Sequence, residues 1–593
     1  MKRKDVEIKY TWDIANYFKD QKEIEDLKEE INTNVKSIIS FKGLVLESVD
    51  NLYNVLNLEN YVSMKLSTLY VYYAHILDQD HTNAQAQSDV LSITNFYYSI
   101  SAALSFIVPE ILEGDIKLLK SYIQDARLVA FKKGLIELLD QKQYTLSEKE
   151  EKIMAQSGSI RSSASEIYST LTNADMKFEN VLDGEGNWLV MNEANWAIYS
   201  HSYDRKLREN AFNMLNNTYG LFDRTITSIF INHLKSIKFS VDVRGYKSPR
   251  QMALFNNQVD EEIYDNLVKS VNKNLSINHE YIKLRKEKLG VEKLHLYDVY
   301  VPIVEDVDGV YCYETAKQLV VDSLAPLGED YVNNIKLTLD TRCVDVYPNE
   351  GKRSGAYSGG SYETKPYILL NYTDTLNDVF TLTHELGHSM QTKYTNENQS
   401  FQDSHYKIFV AEIASTVNEL LLFDYMKKQD VSDEIKAYLI NYNLDQFRST
   451  VYRQTMFGEF EYEASKLVFE DKEVNNEILG ELYLNINKRY FGKDMNVDDN
   501  IKYEWLRIPH FYYNFYVYQY ATCFCIATKV VSEITNGNTK MVDNYLEFLK
   551  LGDSVKPIDL IKTLDIDITN SQTIDDALNI YAKNLEELKE LLK

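Results

Sequence analysis

Over most of the chain, apolar residues recur every three to four positions, the spacing that lines one side of an α-helix. From residue 22 to 175 they fall at i, i+3, i+4 and i+7, as in Val45–Leu77, and predict successive long amphipathic helices with no repeat or low-complexity linker. The period returns over Tyr203–Val243 and Glu261–Leu289, and Gly245-Tyr246-Lys247-Ser248-Pro249-Arg250 reads as a turn that opens a further helix. Two stretches break the pattern. Asp183-Gly184-Glu185-Gly186-Asn187 separates two short apolar segments between Phe178 and Val190 and predicts a hairpin, with a lobe boundary near residue 195. Tyr367-Ile368-Leu369-Leu370 follows a glycine-rich run and is strand-like. Leu370–Tyr372 is expected to close this strand and Asp374 to cap the next helix, whose apolar side is Leu376, Val379, Phe380 and Leu382.

Length and composition narrow the class. A chain of 593 residues exceeds what one core usually holds, so two or more lobes are expected. Eight prolines and 21 glycines are few for this length, which points to a mainly α fold. Lys and Arg total 64 against 89 Asp and Glu, a net charge of −25 that disfavours nucleic acid and anionic membranes as partners. The basic first residues lead into no apolar stretch, and the run 101–112 is short and broken by Pro109 and Glu110. A cytoplasmic protein is expected, with Cys312, Cys343, Cys523 and Cys525 as reduced packing residues. The 45 tyrosines are read mainly as packing residues with a wet hydroxyl. Residues 351–360 lack the glycine spacing of a phosphate loop.

The candidate chemistry lies in Thr383-His384-Glu385-Leu386-Gly387-His388-Ser389. Histidines four apart sit one turn apart on one helix side, so both imidazoles reach one metal ion. Glu385, about 100° round the helix from His384, is placed to act as a base on a water at that metal. Gly387 costs the helix about 1 kcal/mol against Ala and signals that something packs closely there. A catalytic site of this type takes a third protein ligand and leaves the fourth position to water. A metzincin-type continuation needs Gly at 391 and His at 394, where the chain has Gln391 and Tyr394. Glu412, a carboxylate among Phe409, Val410, Ala411 and Ile413, is the favoured third ligand, because a metal supplies the charge its burial would otherwise lack. His405 competes with it. Ser415, Thr416 and Glu419 follow Glu412 on the same side, placed to orient the ligands. In Pro509–Ala521, His510, Tyr513, Val517 and Tyr520 share one side of an expected helix, with Tyr516 at its margin. Such donors suit a developing oxyanion.

These residues carry a family resemblance. Gly351–Gly360, Lys365-Pro366-Tyr367-Ile368-Leu369-Leu370-Asn371, Phe380–His388 and Phe409-Val410-Ala411-Glu412 resemble oligoendopeptidase F of the M3, thimet-type metallopeptidases. Tyr10-Thr11-Trp12-Asp13 and Ile508–Tyr516 extend the likeness over almost the whole chain. The resemblance implies a two-lobed, mainly α M3 zincin fold, with a deep substrate channel and a small β-sheet beside the active-site helix. The N-terminal helical lobe would be 1–195 and the catalytic lobe 196–593. It implies one zinc ion per chain on His384, His388 and Glu412, with Glu385 as base and His510 as the transition-state histidine. Tyr513 and Tyr520, then Tyr516, are the tyrosines chosen to act with His510. Thr416 stands where thermolysin-type zincins have Asp, which moves the expected partner of a ligand histidine to Glu419.

The expected activity is zinc-assisted internal cleavage of short, unstructured peptides. A substrate backbone would approach the Gly-rich run and strand edge near Gly355, Tyr357 and Gly359, with Tyr516 also touching it; a plain loop before a buried strand is the alternative for that run. A zinc carboxypeptidase or aminopeptidase would need a fixed group for a peptide terminus, for which Arg353 is the cationic candidate. A noncatalytic peptide- or zinc-binding protein would have no use for Glu385 between the histidines.

Overall fold

Polar caps convert the periodic stretches into helices in the computed structural model, which describes residues 2–14, 17–304 and 309–593. The Asp20 side chain accepts the Glu23 N–H at the start of Gln21–Ile39, and Ser48 does the same for Asn51 at the start of Val49–Gln79. Their apolar sides, Ile31, Val35, Leu52, Val55, Val62 and Leu66 among them, meet in one core cluster. The stretch 84–113 is long and apolar enough to cross a membrane by length and composition. Ile93, Ile100, Leu104, Ile107 and Ile111 from it are buried in that same cluster.

The long periodic stretches further on are pairs of helices. Residues 203–243 form Arg205–Leu221 and Asp223–Arg244, and 261–289 form Glu261–Lys273 and Leu275–Lys288. Gly245 ends the first pair at φ 77°, and Ser248 with Pro249 starts the next helix. The hairpin forms as the pattern predicts, Val181–Leu182 pairing antiparallel with Trp188–Leu189. The Asp183 carboxylate accepts the N–H groups of Glu185 and Asn187 across its turn.

The chain divides into two compact units, each assembled from three segments. The first comprises Met1–Thr145, Gly309–Tyr425 and Val530–Asp565, the second Leu146–Asp308, Met426–Lys529 and Ile566–Lys593. Buried carboxylates are paired inside the second. Asp298 receives Arg205 and Arg208, and Glu504 receives Arg453.

The first unit holds a three-stranded sheet of β1 (Val344–Asp345), β2 (Tyr357–Gly359) and β3 (Tyr367–Leu369), in the order β1-β3-β2. Strand β1 runs parallel to β3, and β2 runs antiparallel to it at the sheet edge. The strand therefore ends before Leu370–Tyr372, although the Leu370 and Tyr372 N–H groups still bond Asp345 and Val346. Trp12 Nε1 donates to the carbonyls of Cys343 and Ile368 and so fastens the N-terminal arm across the sheet. Next comes helix α1 (Leu376–Asn398), capped by Thr375 in a reciprocal pair with Asp378, where the sequence suggested Asp374. Asp374 instead takes the left-handed turn before the cap, at φ 63°. Helix α2 (Ile408–Lys428) follows a short loop. Cys343, Cys523 and Cys525 are buried as expected, but Cys312 is exposed, just ahead of helix Tyr313–Ser323.

Candidate metal centre and active site

Gly387 lets α1 and α2 cross in contact. A Cβ at that position would lie 2.6 Å from both the Ala414 carbonyl oxygen and Ser415 Cα. The crossing brings Glu412 to the two histidines one turn apart on α1. His384 Nε2 and His388 Nε2 are 3.1 Å apart, and Glu412 Oε2 lies 3.5 Å from the first and 3.7 Å from the second. Around an ion with bonds of about 2.1 Å, tetrahedral donors sit about 3.4 Å from one another, so this triangle has the size of a zinc site. Two imidazoles and a carboxylate are also the donor chemistry zinc takes. Among the described residues, it is the one such group of three or more His, Cys, Asp or Glu.

The supporting contacts follow the crossing. Glu419 Oε1 sits 2.5 Å from His384 Nδ1, which fixes the ring with Nε2 turned toward Glu412. Ser415 donates to Glu412 Oε2 at 3.3 Å. Asn418 donates to the Thr383 carbonyl and accepts from Tyr331, which ties the two helices together beside the donors. His405 lies outside the group, its ring packed against Phe401 at 5.6 Å and its pKa lowered by burial.

Glu385 is buried, and burial raises its carboxyl to about 7 against the pull of His384 and the Ser358 N–H. Burial works to lower His384, but Glu419 beside it holds the pair of shifts in the opposite direction, raising that imidazole to about 9. Strand β2 sits against α1, with Ser358 Oγ 2.8 Å from Ser389 Oγ. Gly355 precedes the strand at φ 82°, and its carbonyl accepts the Asn371 amide at 2.8 Å. Gly359 pairs with Tyr367. The Tyr357 hydroxyl donates to Asp78 at 2.7 Å, and Arg353 pairs with the same carboxylate at 3.2 Å while lying over the Tyr357 ring. Asp78 was invisible to sequence reasoning, being 275 residues from Arg353 with no motif around it.

His510, Tyr513, Tyr516 and Tyr520 belong to the second unit. They do not share a continuous helix as expected. Pro509–Tyr512 is a short 3-10 turn, Asn514 and Phe515 bend the chain at φ 52° and 56°, and helix α4 begins only at Tyr518, running to Thr535; helix α3 (Arg453–Phe469) precedes it in the chain. The break still gathers the four rings. Tyr513, Tyr516 and Tyr520 have centroids 5.6, 6.1 and 6.4 Å from His510, and the Tyr520 hydroxyl reaches Tyr516 Oη at 3.4 Å. Val517 is buried. Burial lowers the His510 pKa, favouring the neutral imidazole.

Comparison with known proteins matches residues 198–580 to the model of peptidase family M3 and residues 110–178 to that of oligopeptidase F. Oligopeptidase PepF of Bacillus subtilis is 38% identical over 591 residues, covering 100% of this chain and 88% of that protein. Group B oligopeptidase PepB of Streptococcus agalactiae is 36% identical, covering 100% and 98%. Among solved structures, a Chlamydophila abortus peptidase superposes with a TM-score of 0.91 at 32% identity over 100% of this chain and 99% of the other. Oligoendopeptidase-F of Enterococcus faecium gives 0.76 at 31% identity, covering 96% and 99%.

Proposed function

Because the chain belongs to peptidase family M3 and is a peptide-hydrolysing metallopeptidase, we propose that it is a zinc endopeptidase cutting internal bonds of short, unstructured peptides with Glu385 as general base. The observation that carries this reading is the donor triangle of His384, His388 and Glu412 with the buried Glu385 carboxyl next to it in the chain. Those three residues would hold the zinc, which when bound supplies Lewis acidity to water and to the scissile carbonyl. Glu385, buried and next in the chain to the donor His384, is placed to take a proton from the attacking water and return it to the leaving amine. Glu419 and Ser415 orient His384 and Glu412. His510, Tyr513 and Tyr520 donate to the oxyanion, a role that rests on the family resemblance and on their gathering in one cluster.

Edge strand β2 offers backbone groups for an extended peptide, with Tyr357 and Gly359 on it and Gly355 just before it. The endopeptidase reading is favoured over trimming from the carboxyl end because Arg353, the cation suited to a terminal carboxylate, is already paired with Asp78. The start of the family match at 198 supports residues 196–593 as the catalytic lobe and 1–195 as the N-terminal one. The acidic surface and bacterial oligopeptidase relatives support action on peptides in the cytoplasm.

The test is a fluorescence-quenched peptide blocked at both ends, given to the protein and to Glu385→Gln with zinc measured in each. Cleavage should fall about 10²- to 10⁴-fold in the variant with zinc unchanged. Removal of zinc by a chelator should abolish cleavage, and adding it back should restore it. A blocked peptide left intact while one with free ends is trimmed would overturn the internal-cleavage reading.

A further inference from the structure

The turn between His510 and α4 is strained, and one buried side chain holds it. Asn514 and Phe515 both sit at positive φ, a region that bulky side chains rarely adopt and that persists only where the surroundings enforce it. Phe515 is 1% exposed, with its ring edge-on to Tyr264 at 6.0 Å. Its backbone N–H donates to Glu461 Oε1 at 2.5 Å.

Glu461 lies on α3 and is 2% exposed. Burial raises its carboxyl to about 8, with the Phe515 N–H pulling the other way. Its Oε2 has no hydrogen-bond partner among the described residues. The nearby Tyr264 hydroxyl donates elsewhere, to the Gly458 carbonyl at 2.5 Å. A neutral carboxylic acid buried on a single hydrogen bond is a poor way to stabilise an apolar core. Its bond goes to the residue that makes the turn, with Tyr513 on one side and Tyr516 on the other.

We propose that Glu461 is a positioning residue, whose carboxyl grips the Phe515 N–H and so holds the left-handed turn that sets Tyr513 and Tyr516 beside His510. This rests on the reading of His510 and the tyrosines as oxyanion donors. Glu461 touches no substrate; it acts through the turn.

Hydrogen exchange over 510–520 and kcat and KM on the blocked peptide, with zinc content, test this in wild type, Glu461→Gln, Glu461→Leu and Glu461→Leu/Asn514→Gly. Gln keeps an acceptor, so exchange and kcat should stay near wild type. Leu should speed exchange at the Phe515 amide and lower kcat about ten- to a hundredfold, with KM and zinc nearly unchanged. Asn514→Gly, which removes the strain at that residue, should recover part of that loss. Equal impairment in Gln and Leu, or wild-type exchange and kcat in Leu, overturns the proposal. A Phe515 amide that exchanges freely in the wild-type protein overturns it even if the Leu variant does not fold. His510→Ala separates the two readings. If it leaves kcat unchanged, the donor role fails; if it lowers kcat while Glu461→Leu does not, only the positioning role fails.

Discussion

Helix α1 and the stretch 509–520 both carry candidate chemistry, and they are built in opposite ways. On α1 the functional atoms are set by helix geometry, His384 and His388 one turn apart, and their surroundings adjust to them. In 509–520 helix geometry is broken at Asn514 and Phe515, and four rings gather because the chain is held out of the helix. A spacing rule therefore finds the first cluster directly, whereas it finds the residues of the second and mistakes their arrangement. What limits the first is how closely a neighbouring helix can approach. What limits the second is whether a strained turn is kept.

The strongest way to break the contrast is Gly387→Ala. A methyl 2.6 Å from the backbone of Ala414 and Ser415 must push α2 away, costing on the order of 3 kcal/mol. It should also move Glu412 off the histidines. Denaturant unfolding and zinc affinity should both fall; stability lost with zinc affinity intact would mean that the crossing does not set the donor triangle.

The second region should answer to pH. Glu461 is raised to about 8 from an ordinary 4.5, so between those values the folded protein keeps a proton that the unfolded chain has released. Its contribution to stability is present below about pH 4.5 and is lost as pH rises through about 8. The facing phenol, Tyr264, is raised well above 10 and does not titrate in this window. Glu461→Gln should therefore gain on wild type by on the order of 3 kcal/mol between pH 5 and 8. Parallel urea-unfolding curves for the two proteins at both pH values would refute the buried neutral acid.

The smallest expected effect sharpens the first region. Glu419→Gln keeps the size of the side chain but removes the charge 2.5 Å from His384 Nδ1, and should weaken zinc binding about ten- to a hundredfold. Zinc affinity from competition with a chelator checks this. An unchanged affinity would leave His384 oriented by the α1 backbone alone.

Much of the fold was legible because helices and hairpins are local. The period over 45–77 marks a real helix, which begins at Val49, and the polar run 183–187 marks a real hairpin. Legibility failed at the ends of elements, and where the decision was made elsewhere in the chain. The periodic stretches 203–243 and 261–289 each carry a break, at Phe222 and Asn274, that the apolar spacing passes over. Thr375 rather than Asp374 caps α1, because Asp378 completes a reciprocal pair with it. Arg353 looked free to bind a terminus until Asp78 arrived from a distant helix.

The sequence by itself determined that α1 presents two imidazoles and a carboxylate at fixed angles, since 3.6 residues per turn leaves no alternative once the helix forms. It also determined that Gly387 marks a close contact, and that Glu412 and Glu419 lie on one helix side. Only the tertiary structure decided that the contact is with Ala414 and Ser415, and that the three donors come within bonding distance of one point. It alone decided that 513–517 leaves the helix around a buried Glu461. The reason is physical. Angles within a helix are fixed by its own hydrogen bonds, whereas which segments meet, and which strain they can hold, depends on the packing of the whole unit.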